Sequence, residues 1–214
     1  DIKDLESRLE KRGKGSYEEL RLRGFIALAD GKAEEGLQFF READKKKPDQ
    51  QVLQLTIART MLALKQLDET KAYLRTVLAK DKSAGAFYDL LYGITMMENN
   101  PDEGEKVLLE RGQNNPKDSA NRLRLAAHYF VNRKTAEMEK ILTETVSNRK
   151  DFPNGYMDVG DFYYRVRDFD HAATTYQEGA KQDAARSRSY DKRLVEVRVA
   201  QNRSAEALEL CEKI

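Results

Sequence analysis

Two histidines, His128 and His171, and one cysteine, Cys211, are the side chains of this chain best suited to metal binding or nucleophilic chemistry. Neither histidine has a Cys or a second His at metal-ligand spacing, so a zinc site is not expected. His128 sits one residue before Tyr129, and His171 follows a turn beside Ala172. Both read as packing or hydrogen-bonding residues. Cys211 lies in an amphipathic stretch with no base nearby, which fits a small buried hydrophobe better than an activated thiol. No G-x-G-x-x-G and no phosphate-binding loop occurs. The carboxylates are abundant but are interleaved with Lys and Arg. Asp68-Glu69 and Asp102-Glu103 read as helix-start charges, and Lys45-Lys46-Lys47 as a helix C-terminus. Three cations without interleaved aromatics are a weak nucleic-acid signal. These residues predict no enzyme, no metal and no cofactor.

The elements that position them are helices. The four prolines, Pro48, Pro101, Pro116 and Pro153, all fall in predicted turns, and none interrupts an apolar-periodic stretch. Val195, Val197 and Val199 alternate like a strand, but charged helix formers surround them, so that stretch too is read as helix. Hydrophobic residues make up 40% of the chain and charged residues 35%, which is polar for a compact globule and suits an elongated array with much wet surface. Lys plus Arg number 38 against 37 Asp plus Glu. That balance gives no electrostatic case for nucleic acid or an anionic membrane. No apolar run approaches the length needed to insert into a bilayer. A single cysteine excludes an internal disulfide.

Six small residues, Gly24, Ala58, Gly93, Ala126, Gly160 and Val195, recur every 33 to 35 residues, each in the middle of an amphipathic stretch. A second amphipathic stretch follows each one, across a turn that keeps the same phase. This period is that of stacked helix–turn–helix units. Small residues let the paired helices approach, and large neighbours fill the groove to the next unit. The units run over about 17–50, 51–84, 86–118, 119–152, 153–187 and 188–214, the last one incomplete. Residues 1–16, with Ile2, Leu5 and Leu9 at helical spacing, read as a partial preceding repeat or a capping helix.

This pattern resembles the tetratricopeptide (TPR) repeat. Tyr156, Val159-Gly160, Tyr163, Ala172, Tyr176 and Gly179 carry the resemblance most closely, and Gly24, Leu28, Gly36, Phe40, Ala43 and Pro48 nearly as well. Departures mark units two to four as degenerate. Gln54, Asp89 and Arg122 stand at the early aromatic position, and Thr70, Glu105 and Met138 at the small position of the second helix. Half-TPR and Sel1-like repeats are the neighbouring alternatives. The resemblance implies an all-α fold: one right-handed superhelical solenoid of antiparallel helix pairs over residues 1–214. Both ends look cut, which reads as a segment of a longer array.

The resemblance further implies that positions 2, 5, 9, 12 and 13 of each first helix line a concave face. Counted from Gln51, Ala86, Ser119 and Pro153, these include Leu55, Arg59 and Leu62; Phe87, Leu90, Ile94 and Met97; Leu123 and Phe130; and Met157, Asp161, Tyr164 and Arg165. The central groove is then apolar and its C-terminal part polar and aromatic, which fits an apolar or amphipathic peptide or helix of a partner protein. A register slip of one residue in units two to four would instead make these residues ordinary inter-helix core. A carboxylate clamp is not expected, because Phe25 and Thr56 stand where it would need Asn beside Arg21. The expected function is a protein-interaction scaffold. The alternatives are end-to-end self-association into homo-oligomers, or a regulatory segment of a larger protein. The Asp/Asn-Pro punctuation looks bacterial, with cytoplasm and periplasm both open.

Overall fold

In the computed structural model, Gly13 and residues 15–214 are described; Ile2, Leu5 and Leu9 lie outside the described residues. Every regular element among them is helical. Twelve α-helices follow one another: α1 (Tyr17–Ala29), α2 (Ala33–Lys46), α3 (Gln51–Ala63), α4 (Leu67–Lys80), α5 (Gly85–Met97), α6 (Pro101–Asn114), α7 (Ser119–Val131), α8 (Thr135–Ser147), α9 (Gly155–Arg165), α10 (Phe169–Gln182), α11 (Ser187–Ala200) and α12 (Ser204–Lys213). A single 3-10 turn, Ala184–Arg186, leads into α11. The alternating valines 195, 197 and 199 are helical, within α11.

The helices form two compact units, residues 1–99 and 100–214. Within the first, α1 pairs with α2, α3 packs on α2, and α4 and α5 continue the stack. Within the second, each helix from α6 to α12 packs on the next, and α7 also touches α9. Each unit is thus an all-α stack of antiparallel helix pairs.

The turn inside each pair sets the register. Gly31, Lys65, Asn99, Arg133 and Arg167 all have positive φ, between 55° and 76°, and follow one another at intervals of 34 residues; Asn202 is the sixth, one residue late. At Lys65 the N–H donates to the Leu62 carbonyl at 3.0 Å and the Gln66 N–H to the Met61 carbonyl at 3.0 Å. The same two bonds recur at Gly31, Arg133, Arg167 and Asn202. This left-handed cap satisfies two carbonyls that the helix end would leave open. Side chains cap several helix starts: Ser16, Asn100, Asp118 and Asp168 each accept from the backbone N–H three residues on. Asp68-Glu69 and Asp102-Glu103 occupy first turns and Lys45-Lys46 a last turn, as the helix dipole favours.

That 34-residue spacing corrects the reading of the third unit. The residue equivalent to Gly24 is Tyr92, half-buried, and Gly93 stands one place further on, where an added Cβ would meet nothing within 4 Å. Tyr88, fully buried, and not Asp89, takes the early aromatic position. Gly104, and not Glu105, takes the small position of the second helix, where it is buried. The third unit therefore keeps the aromatic and small residues that seemed missing from it.

Within the pairs, residue volumes compensate. Gly24 lies against the ring of Phe40, and Gly160 against that of Tyr176, so closely that a Cβ on either glycine would overlap the ring. At the same two positions, sixteen residues apart, the second and fourth pairs carry Ala58 with Leu74 and Ala126 with Leu142, all buried. A glycine admits an aromatic; an alanine admits only a leucine. Several of the polar residues that enter the core are bonded. Thr70 and Thr145 donate to the carbonyls four residues back, at 2.6 and 2.7 Å, and Asn121 Nδ2 donates to the Leu108 carbonyl at 3.0 Å. Arg111, in the small-residue position near the end of α6, binds Asp118 at 2.7 Å.

Candidate functional site: the first-helix face

The first helix of each pair presents one face outward. Eight large apolar side chains are exposed among the described residues: Phe25, Val52, Met97, Leu109, Phe130, Val131, Val199 and Leu208. All but Leu109 and Leu208 belong to first helices, at positions 2, 9, 12 or 13 counted from the helix start. Exposure is therefore concentrated on one face at the helical period and is not scattered.

In the second unit this face is a groove formed by α7, α9 and α11. One cleft of about 460 Å³ is lined by Ala120, Leu123, Arg124 and Ala127 of α7 and by Phe162, Arg165 and Val166 at the end of α9. An adjoining cleft of about 380 Å³ is lined by Leu123, Asp158, Asp161, Tyr164, Arg165, Arg193 and Glu196. Leu123 and Arg165 border both. The first floor is apolar with two guanidinium groups at its edge; the second is mostly charged.

A hydrogen-bonded group holds the charged part in place. Tyr176 Oη donates to Asp161 Oδ1 at 2.6 Å, and Arg193 Nε lies 3.2 Å from the same oxygen. Arg193 Nη1 also reaches Glu196 Oε2 at 2.9 Å. Burial, and then the bond to Asp161, pushes the Tyr176 phenol well above its ordinary range, so it stays a donor. Burial also raises the Asp158 carboxyl; the nearby Asp161 adds to this, and a hydrogen bond from Ser119 opposes it.

The sequence-derived groove residues separate by register. Asp161, Tyr164, Arg165 and Leu123 come together around the second cleft. Phe130 is exposed beside them and meets Phe162 edge-on, with ring centroids 6.5 Å apart. Met157 is half-buried against the core cluster that contains Ala172, Tyr176 and Tyr190, outside the clefts. In the first unit Arg59 and Met97 are exposed, whereas Leu55, Leu62 and Leu90 are half-buried. Phe87 and Ile94 do not face outward. They are 1% and 0% exposed, because the 34-residue spacing puts them at positions 3 and 10, which point into the core.

Sequence reasoning passed over Arg124, Asp158 and Arg193. All three hold position 6 of their units, adjacent to the position-5 residues that were considered. A charged residue recurring there in three successive units was the available signal. The remaining chemistry-bearing residues are structural or exposed. His128 is buried, and burial lowers its pKa. His171 stacks on Tyr163, with its Nδ1 2.8 Å from Asp168 Oδ2. Cys211 is exposed, contrary to expectation: it shares a face with buried Ala207 one turn back, but lies in the last turn of α12. Among the described residues, no group of three or more His, Cys, Asp or Glu could hold a metal ion, and no helix is long and apolar enough to cross a membrane.

The helix pairs, their 34-residue turn and the small-to-aromatic packing match a known repeat. A tetratricopeptide repeat family profile matches residues 27–91. Over that stretch the chain is similar to the tetratricopeptide repeat, and its helix pairs continue the same pattern beyond it. A tetratricopeptide repeat protein from Parabacteroides merdae shares the fold at a TM-score of 0.52 and 11% identity, over 94% of this chain and 79% of that one. A thermophilic TPR protein of Thermus thermophilus gives a TM-score of 0.46 at 19% identity, over 90% and 98%. MamA of Desulfovibrio magneticus gives 0.47 at 14%, over 81% and 97%. Comparison with curated proteins returns no match. Stacked TPR-like pairs generally serve as scaffolds for protein–protein interaction, because stacking leaves one continuous face for a partner.

Proposed function

We propose that this TPR-like chain is a non-enzymatic protein-interaction module whose partner segment lies on the first-helix face, with its main footing in the groove of α7, α9 and α11. The observation that carries this reading is the concentration of exposed large apolar side chains on first helices, together with two adjoining clefts on the same face. Leaving Phe130 and Val131 in water forgoes roughly 1.5–3 kcal/mol per fully buried side chain, which a bound segment would recover in part.

Site-specific photo-crosslinking in the native host tests this. A photoreactive residue at Phe130 or Tyr164 should give discrete adducts with a partner protein. The same residue at Glu137, exposed on second helix α8, should give few. Adducts concentrated at Glu137, or adducts only between copies of this chain, would overturn the reading.

A further inference from the structure

The charge pattern of the groove defines the chemistry of what it holds. Asp158 and Arg165 both lie on α9, seven residues apart. Seven residues are almost two full turns, so both side chains share one face, separated by about 10 Å along the axis. Neither is neutralised at home. Arg165 forms no ion pair among the described residues. Asp158 forms no ion pair among the described residues; its carboxyl takes a hydrogen bond from Ser119 and lies near Asp161. The other charges of the second cleft are already paired, Arg193 with both Asp161 and Glu196. Leu123, reaching across from α7, supplies the apolar floor shared by the two clefts. Within the second cleft, one cation and one carboxylate outside any ion pair thus flank an apolar floor with a defined direction, while Arg124 edges the first cleft.

We propose that the groove of the second unit takes a dipolar partner segment, with an acidic and a basic side chain about 10 Å apart and an apolar residue between them. The acidic group pairs with Arg165, the apolar residue rests on Leu123, and the basic group pairs with Asp158. In an amphipathic helix this is an acidic residue and a basic residue at i and i+7, with the apolar residue at i+3 or i+4. The complementary charges set the direction of the segment as well as its affinity. The inference rests on the groove reading above and specifies its partner.

Selection from a random twelve-residue peptide display library on the full chain tests it. The expected winners carry acidic, apolar and basic residues in that spacing. Their synthetic versions should bind at least tenfold more weakly to Arg165→Glu, an exposed substitution, and weaken further in 0.5 M salt. Selection on the Asp158→Lys, Arg165→Glu double variant should enrich the opposite charge order. Winners that are apolar without a charge order, yet lose binding to Ala120→Trp, would overturn the dipolar proposal and leave the groove reading standing. Ala120 is exposed on the first cleft, so the larger side chain plugs it without entering the core. Winners that bind Ala120→Trp as well as wild type, or no enrichment at all, would overturn both.

Discussion

Gly24 has its missing Cβ replaced by the Phe40 ring, and Gly160 by the Tyr176 ring. Gly24→Ala should therefore overpack the first pair and destabilise it by about 1–2 kcal/mol, despite the better helix propensity of alanine. Combining it with Phe40→Leu recreates the Ala-with-Leu pairing of the second and fourth pairs. The double variant should be more stable than the sum of the singles, with a coupling of about 1–2 kcal/mol in urea unfolding. Strict additivity would show that the two positions do not compensate each other. Asp44 offers a second test. Its Oδ1 is buried without a partner, and burial, helped by Asp49 and opposed by Lys80, raises its pKa. The fold thus favours the protonated form, and its charge costs stability as pH rises above the ordinary carboxylate range. Asp44→Asn should raise the melting temperature at pH 7, by less than about 1 kcal/mol equivalent because the residue is only half-buried and solvent screens it. Below about pH 4 the advantage should vanish. A constant difference from pH 3 to pH 8 would contradict this assignment.

The elements were legible in the sequence because period, prolines and turns agreed; the register of the third unit was not. The small residue Gly93 drew the register one place too far, moving Phe87 and Ile94 onto the groove. The turns carried the better ruler. From Gly31 to Arg167 the left-handed caps keep the 34-residue interval without drift, whereas a small residue can stand at either of two adjacent positions when the neighbouring side chains adjust. Gly31 and Asn99, two residue types that accept positive φ, are 68 residues apart, twice 34, and align Tyr92 with Gly24. What hid the pattern was chemistry at the neighbouring caps: Lys65 and Arg133, on either side of Asn99, hold the same conformation without the favoured residue type. These two caps carry strain. Lys65→Gly and Arg133→Gly should each raise stability, by about 0.5–1 kcal/mol, and Gly31→Ala should lower it. Thermal melts of the three variants check this; destabilisation by both glycine substitutions would mean the caps are held by their side chains.

At the scale of the whole molecule, the cleft-lining residues of the proposed interaction face were only partly legible in the sequence. Leu123, Asp161, Tyr164 and Arg165 line one cleft and Phe130 is exposed on α7, since the repeats of residues 119–187 keep their register. Arg124, Asp158 and Arg193 were missed because position 6 reaches the groove only when neighbouring first helices are close, a property of the assembled stack. The central claim is that partners engage this face in the second unit. Methyl- and amide-detected NMR titration of the full chain with a peptide selected on it, as above, tests that most directly. The account predicts shift changes confined to α7, α9 and α11, strongest at Leu123, Ala127, Tyr164 and Arg165, and lost with Ala120→Trp. Shift changes centred on the second helices α8, α10 and α12, with the first-helix signals unmoved, would contradict it.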